Sequence, residues 1–286
     1  MSNARVIALT SLAMTAFAGN SLLCRLALKQ ASMDAASFTT IRLASGAAVL
    51  WLVTRTRRGA PAGAGNWLSA LALFSYAASF SFAYVSLPAA TGALLLFGAV
   101  QATMIGHGLW SGERFGGLQL VGLVLAFGGL FGLLLPGLSA PPLEGSLLML
   151  GAGLAWGIYS LRGKGAGNPT RVTAGNFLRA APFAMALSLF MRMSKGISLD
   201  TAGFCYAVAS GALTSGIGYV IWYTALPALK AKNAATVQLS VPVIAALGGI
   251  VFLGEPITLR LGLASAAILG GIALVVLEKR APGGKP

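Results

Sequence analysis

The chain has 286 residues, of which 57% are hydrophobic and only 9% charged, and it carries a formal net charge of +14. A mean hydropathy of +0.82 excludes a water-soluble domain with a polar surface. The positive charge does not point to nucleic acid, because the basic residues are distributed by loop rather than along one patch.

In chain order, apolar runs occupy residues 6–28, 37–53, 67–85, 91–110 and 115–135, then 143–161, 172–191, 201–226, 234–253 and 259–277. Each meets the requirement of about 17 to 25 residues for a hydrocarbon core about 30 Å thick. Their lengths and lack of strict alternation predict helices and exclude a β-barrel. The expectation is an all-α integral membrane protein with ten transmembrane helices.

Loop charges predict the orientation. With the N-terminus inside, one set of loops and tails holds thirteen Lys and Arg residues, among them Arg55, Arg57, Arg58, Lys230 and Arg280. The opposite set holds four, Lys29, Arg192, Lys195 and Arg260, plus Arg25 if it reaches outward. The positive-inside rule then puts both termini in the cytoplasm of a multi-pass protein of the cell inner (plasma) membrane. Arg5, the apolar run after it and Ala16-Phe17-Ala18 imitate a secretory signal. The apolar sequence continues to Leu28, however, and removing it would leave nine spans, so it is read as the first span. Cys24 and Cys205 fall in separate spans without metal-ligand spacing and are read as small packing residues. No metal or cofactor is expected.

A phrase is written twice. Tyr84-Val85-Ser86-Leu87-Pro88, an apolar run and Gly112-Glu113 recur as Tyr223-Thr224-Ala225-Leu226-Pro227, an apolar run and Gly254-Glu255. Arg25 and Arg162 end the first and sixth spans at an offset of 137, which also relates Arg42 to Arg179. Gly128-Gly129 and Gly270-Gly271 match at 142, the offset of the two glutamates. An odd number of spans separates the copies, so the second half is predicted to be threaded upside down. The expected units are two inverted five-helix repeats, residues 1–136 and residues 137–286, the second with a short basic C-terminal tail.

On these residues the chain resembles the drug/metabolite transporter superfamily, EamA type, and within it the YddG-type aromatic amino acid exporters. The marks are Arg42 and Arg179 in the second helix of each half, the glutamates Glu113 and Glu255, and glycines 128, 129, 270 and 271. The resemblance implies ten helices in two halves, with pairs three/four and eight/nine rocking about a central cavity and helices one and six completing its walls. One departure is visible: the ninth helix carries Pro242, whereas the aligned position in the fourth is Val100.

Charge inside a membrane costs about 2.5 to 3.5 kcal/mol on insertion scales. Arg42 and Arg179 recur at equivalent positions, so one explanation should serve both, and a scaffold role on backbone carbonyls at helix ends is expected. Glu113 and Glu255 lie at span ends and are expected to be structural locks to a neighbouring helix start or loop. All six acidic residues lie at or beyond span ends. No carboxylate is therefore available at mid-depth to exchange a proton for an organic cation. His107, the sole histidine, could titrate near neutral pH and is the candidate coupling group, although it also fits a packed, neutral role near the end of span four.

Uncharged polar and aromatic residues cluster on spans one, three, four, six, eight and nine. Tyr76, Phe80 and Tyr84 recur every four residues and share one helical face, as do Ser215, Tyr219, Trp222 and Tyr223. Of these, Tyr76, Phe80, Tyr84, Tyr219 and Tyr223, with Asn20, Gln101, Trp156, Tyr159 and Gln238, are the candidate cavity lining. The competing reading puts the aromatic rings in interfacial belts, which is accepted for Trp51, Trp67 and Trp110. Pro88, Pro227 and Trp222 are candidate gate residues. Gly128 with Gly132, and Gly153 with Gly157, are spaced for close helix contact.

The combined expectation is a monomeric alternating-access exporter of aromatic and other neutral hydrophobic amino acids, with the lipid bilayer as its other partner. The alternative is a multidrug exporter of organic cations on the same fold, against which the missing mid-depth carboxylate argues. A phosphate-bearing substrate would need cationic anchors, for which only Lys230 and Lys232 offer themselves. An enzyme would need a catalytic constellation that one histidine and two separated cysteines do not supply.

Overall fold

The polar residues at the edges of the apolar runs start the helices. Ser2, Asn66 and Asp200 each accept a backbone N–H of the first turn that follows, at Arg5, Ser69 and Gly203. The computed structural model describes residues 1–56, 65–112, 116–137, 140–163, 167–195, 198–229 and 231–277, and every regular element among them is helical. The first five helices are α1 (Asn3–Lys29), α2 (Ala35–Thr56), α3 (Trp67–Tyr84), α4 (Ala89–Trp110) and α5 (Gly117–Leu134). They are followed by α6 (Leu143–Gly163), α7 (Pro169–Lys195), α8 (Thr201–Ala228), α9 in two stretches (Ala231–Gln238 and Ser240–Leu253) and α10 (Leu259–Leu277).

Nine described helices are long and apolar enough to cross a membrane, and α6, with 21 residues, packs among them against α3 and α4. Large apolar side chains such as Phe131, Val251 and Leu259 face outward, and this surface suits lipid contact. Glu113, Lys230 and the basic tail beyond Leu277 lie outside the described residues.

Two helices depart from uniform α geometry. Within α8, Ser210–Ile217 forms a π-helical stretch in which the Gly218 N–H reaches back to the Leu213 carbonyl. Gly211 and Gly216 lie within this stretch and Gly218 directly follows it. In α9 the helix is interrupted at Leu239, three residues before Pro242, whose ring nitrogen cannot donate to the preceding turn. Its counterpart α4, with Val100, is unbroken.

Interhelical packing follows an exchange pattern. Helix α1 packs on α8 and α9, and α6 packs on α3 and α4. Helices α2 and α7 pack on one another, as do α5 and α10, while α2 with α8 is matched by α7 with α3. Close approach depends on glycine. A Cβ on Gly153 would lie 2.6 Å from the Leu96 carbonyl oxygen of α4, and one on Gly157 would lie 2.7 Å from Thr103.

On α5 the close contacts are made by Gly122, against Gly271 of α10, and by Gly129. They are not made by Gly128 and Gly132, around which there is open space. The contacting face repeats every seven residues because two helical turns return to it.

The repeated Gly-Glu also acquires a local cause. Gly112 and Gly254 both adopt positive φ, 86° and 63°. Gly254 and Glu255 donate to the Ile250 and Gly249 carbonyls in the pattern that ends a helix at a left-handed glycine.

Candidate central cavity and its closed end

A cavity of about 530 Å³ lies between α1, α3, α4, α6, α7, α8 and α9, within the about 300–1,000 Å³ range of small-molecule sites. Its described lining contains no Asp, Glu, Lys or Arg. The lining extends to the exposed Gly163 and Pro169, where α6 ends and α7 begins, and stops at Phe80 and Leu96 toward the other end.

Nine of the ten candidate lining residues meet here: Asn20, Tyr76, Phe80, Gln101, Trp156, Tyr159, Tyr219, Tyr223 and Gln238. Trp156 of α6 joins the two expected aromatic walls. It stacks on Tyr219 at 5.4 Å between ring centroids and on Tyr159 at 5.3 Å, and it meets Tyr76 at 4.9 Å. Trp222, a candidate gate residue, also lines the cavity and packs on the Phe17 edge.

Tyr84 does not reach the cavity. It is fully buried beyond Phe80, its ring lies over Gly92, and its hydroxyl donates to the Ala89 carbonyl at 3.3 Å. Four-residue spacing put it on the right face of α3 but said nothing of depth. His107 is exposed near the end of α4 and is absent from the cavity lining. Pro88 caps the start of α4, and Pro227 sits exposed in the single 3-10 turn, Leu226–Ala228, that ends α8.

Sequence reasoning did not select α7, which contributes Thr173 and Asn176. Asn176 donates to the Tyr159 hydroxyl at 3.4 Å, that hydroxyl donates to Thr173 at 3.3 Å, and Thr173 donates to Tyr223 at 3.4 Å. The available signal was an amide within an apolar run, the argument that selected Asn20 and Gln101.

The closed end is held by charge. Arg25 Nε donates to Glu255 Oε1 at 2.9 Å, and its Nη1 donates to the Tyr84 carbonyl at 2.9 Å. Glu255 Oε2 accepts the Ala89 N–H at 2.7 Å, at the start of α4. One carboxylate thereby joins the ends of α1 and α9 to the α3–α4 turn. At the other end Arg162 donates to Ser69 Oγ at 3.2 Å and to Asn66 Oδ1 at 3.3 Å.

The two mid-span arginines have different surroundings, contrary to the single explanation expected. Arg179 donates to the Gly175 carbonyl of its own helix at 3.0 Å. Arg42 is 1% exposed and uses side chains instead: Nη2 donates to the Tyr76 hydroxyl at 3.0 Å and Nε to Ser215 Oγ at 3.3 Å. Its guanidinium also lies 4.8 Å from the Phe80 ring centroid. Ser215 lies in the π-helical stretch of α8, and a Cβ added to Gly211 of the same stretch would run into the Arg42 backbone.

Residues 143–277 match the model described as the EamA-like transporter family. An uncharacterized protein of Pseudomonas aeruginosa is 58% identical over 280 residues, covering 98% of this chain and 97% of its own. The threonine/homoserine exporter RhtA of Escherichia coli K12 is 33% identical over 175 residues, 57% of each chain. A solved crystal structure shares the fold, with a TM-score of 0.65 at 21% identity over 94% of this chain and 98% of its own. Together with the apolar helices around a central cavity, these matches assign residues 143–277 to the EamA-like transporter family and make the chain a multi-pass membrane protein.

Proposed function

We propose that this transporter exports neutral amino acids from the cytoplasm across the cell inner membrane, by alternating access of the central cavity. The observation that carries the reading is the cavity itself: aromatic, uncharged in its described lining, and supplied with amides at Asn20, Gln101, Asn176 and Gln238. Such a lining suits a ligand whose own charges cancel and whose side chain is apolar. Aromatic side chains are the first choice, as in the YddG-type exporters, because Trp156, Tyr159 and Tyr219 offer stacked faces. Small polar amino acids form the second reading, favoured by the 33% identity with RhtA.

Two inverted halves, 1–136 and 137–286, are proposed to exchange roles in each cycle. The exchange pattern of helix contacts supports this, as does the recurrence of the Tyr84 and Tyr223 phrases. With both termini cytoplasmic, the end reaching Gly163 and Pro169 faces the cytoplasm, and the Arg25–Glu255 end faces outward. The protein is proposed to work as a monomer, with α3, α4, α8 and α9 rocking about the cavity and the α5–α10 pair at the periphery. Glu113 is assigned a lock role corresponding to that of Glu255.

Purified protein in liposomes, given labelled phenylalanine, tryptophan, threonine and a cationic dye with and without a pH gradient, tests the reading. Amino acid movement without dye movement is expected. Dye movement without amino acid movement would establish the organic-cation alternative instead.

A further inference from the structure

Among the described residues Arg42 is a fully buried guanidinium that meets no carboxylate, and its Nη1 has no hydrogen-bond partner. A buried cation of this kind is costly unless something answers its charge. It does not line the cavity, but the hydroxyls that accept from it, Tyr76 and Ser215, both do.

The direction of those hydrogen bonds matters. Asn20 Oδ1 accepts the Ser210 hydroxyl at 2.5 Å, which turns Nδ2 toward the Tyr76 oxygen at 3.4 Å. Tyr76 therefore accepts from both Asn20 and Arg42, and its own proton is left to donate. Ser215 accepts from Arg42 Nε in the same way and also retains a proton to give. Two cavity hydroxyls are thus left as donors, each polarised by the guanidinium behind it.

We propose that Tyr76 and Ser215, backed by Arg42, form a carboxylate subsite. The substrate's carboxylate accepts from the two hydroxyls and supplies the counter-charge that Arg42 otherwise lacks. Arg42 is a positioning residue here, acting through the hydroxyls it orients. The same fixed positive charge disfavours any substrate whose only charge is cationic. The inference rests on the amino acid reading above and deepens it, by naming the group recognised and the residues that recognise it.

Equilibrium binding to the purified full chain tests it, with L-phenylalanine and L-threonine each compared with its amide. The amides keep the side chain and ammonium but lose the carboxylate. The acids are expected to bind about tenfold to a hundredfold more tightly than their amides, as a charged hydrogen-bond acceptor implies. Arg42→Gln should erase this preference and Arg42→Lys should restore part of it, whereas a merely structural role would weaken acid and amide together. Should Arg42→Gln fail to fold, Tyr76→Phe and Ser215→Ala each remove one hydroxyl with Arg42 in place, and each should reduce the preference. Equal binding of acid and amide by the unmodified protein would overturn the subsite and leave the transport reading standing. Binding of neither would overturn the amino acid reading, and the subsite with it.

Discussion

Glu255 divides its two carboxylate oxygens between Arg25, 2.9 Å away at the end of α1, and the Ala89 N–H, 2.7 Å away at the start of α4. The residues it joins lie 230 and 166 positions away in the chain. Both charged side chains are largely withdrawn from solvent, at 9% and 13% exposure, so the pair is screened far less than a surface ion pair. It ties three helix ends together on the side where the cavity lining stops.

Glu255→Gln keeps an oxygen for Ala89 but removes the counter-charge from Arg25. Breaking a buried pair on one side costs about 3 kcal/mol, an equilibrium factor of about a hundred against the conformer that contains it. With Cys24 and Cys205 replaced by Ala, a cysteine introduced at Ser21, a buried residue of the cavity lining, should react with an externally added membrane-impermeant maleimide at least about tenfold faster in the Glu255→Gln protein. An unchanged labelling rate would mean that the pair does not hold this end shut.

Gly92 is the floor on which the Tyr84 ring rests, and an added methyl would meet the ring carbons and hydroxyl. Gly92→Ala should displace Tyr84 from its hydrogen bond to Ala89 and loosen the same end. Overpacking of this kind typically costs about 1–3 kcal/mol, visible as a lower unfolding temperature in detergent. Tyr84→Phe in the Gly92→Ala background should then cause little further loss.

Gly271→Ala would drive a methyl into the Ala126 backbone of α5, whereas Gly128 faces open space. The first substitution should destabilise the protein by about 1–3 kcal/mol, and Gly128→Ala should be neutral within about 0.5 kcal/mol. Thermal unfolding of the two variants side by side checks the α5–α10 interface.

His107 is exposed, near the end of α4, and absent from the cavity lining. His107→Ala should leave the rate and pH profile of amino acid transport in liposomes unchanged. A shifted profile would return this histidine to the coupling mechanism.

Much of the architecture was legible in the sequence because membrane insertion is a local matter. An apolar run long enough to span the hydrocarbon core must become a helix, whatever lies beside it. The same locality explains where sequence reading fell short. Periodicity put Tyr76, Phe80 and Tyr84 on one face, but whether a ring lines the cavity or seals its end depends on what α4 places opposite, here Gly92. Glycine spacing marked α5 as a packing helix yet singled out Gly128 and Gly132, since the face that meets α10 is set by α10. Repeat equivalence gave Arg42 and Arg179 a common role, but Arg42 lies between Tyr76 and Ser215 while Arg179 turns back on its own helix.

The sequence by itself determined the helices, their apolar exteriors, the residue types available for a site and the absence of acidic groups at mid-depth, because each follows from composition over a short stretch. Only the tertiary structure decided which charges have partners. Arg25 with Glu255 and Arg42 with Ser215 are contacts across 230 and 173 residues. A buried charge is stabilised or left unanswered by whatever stands within about 4 Å of it, and sequence spacing does not encode that distance.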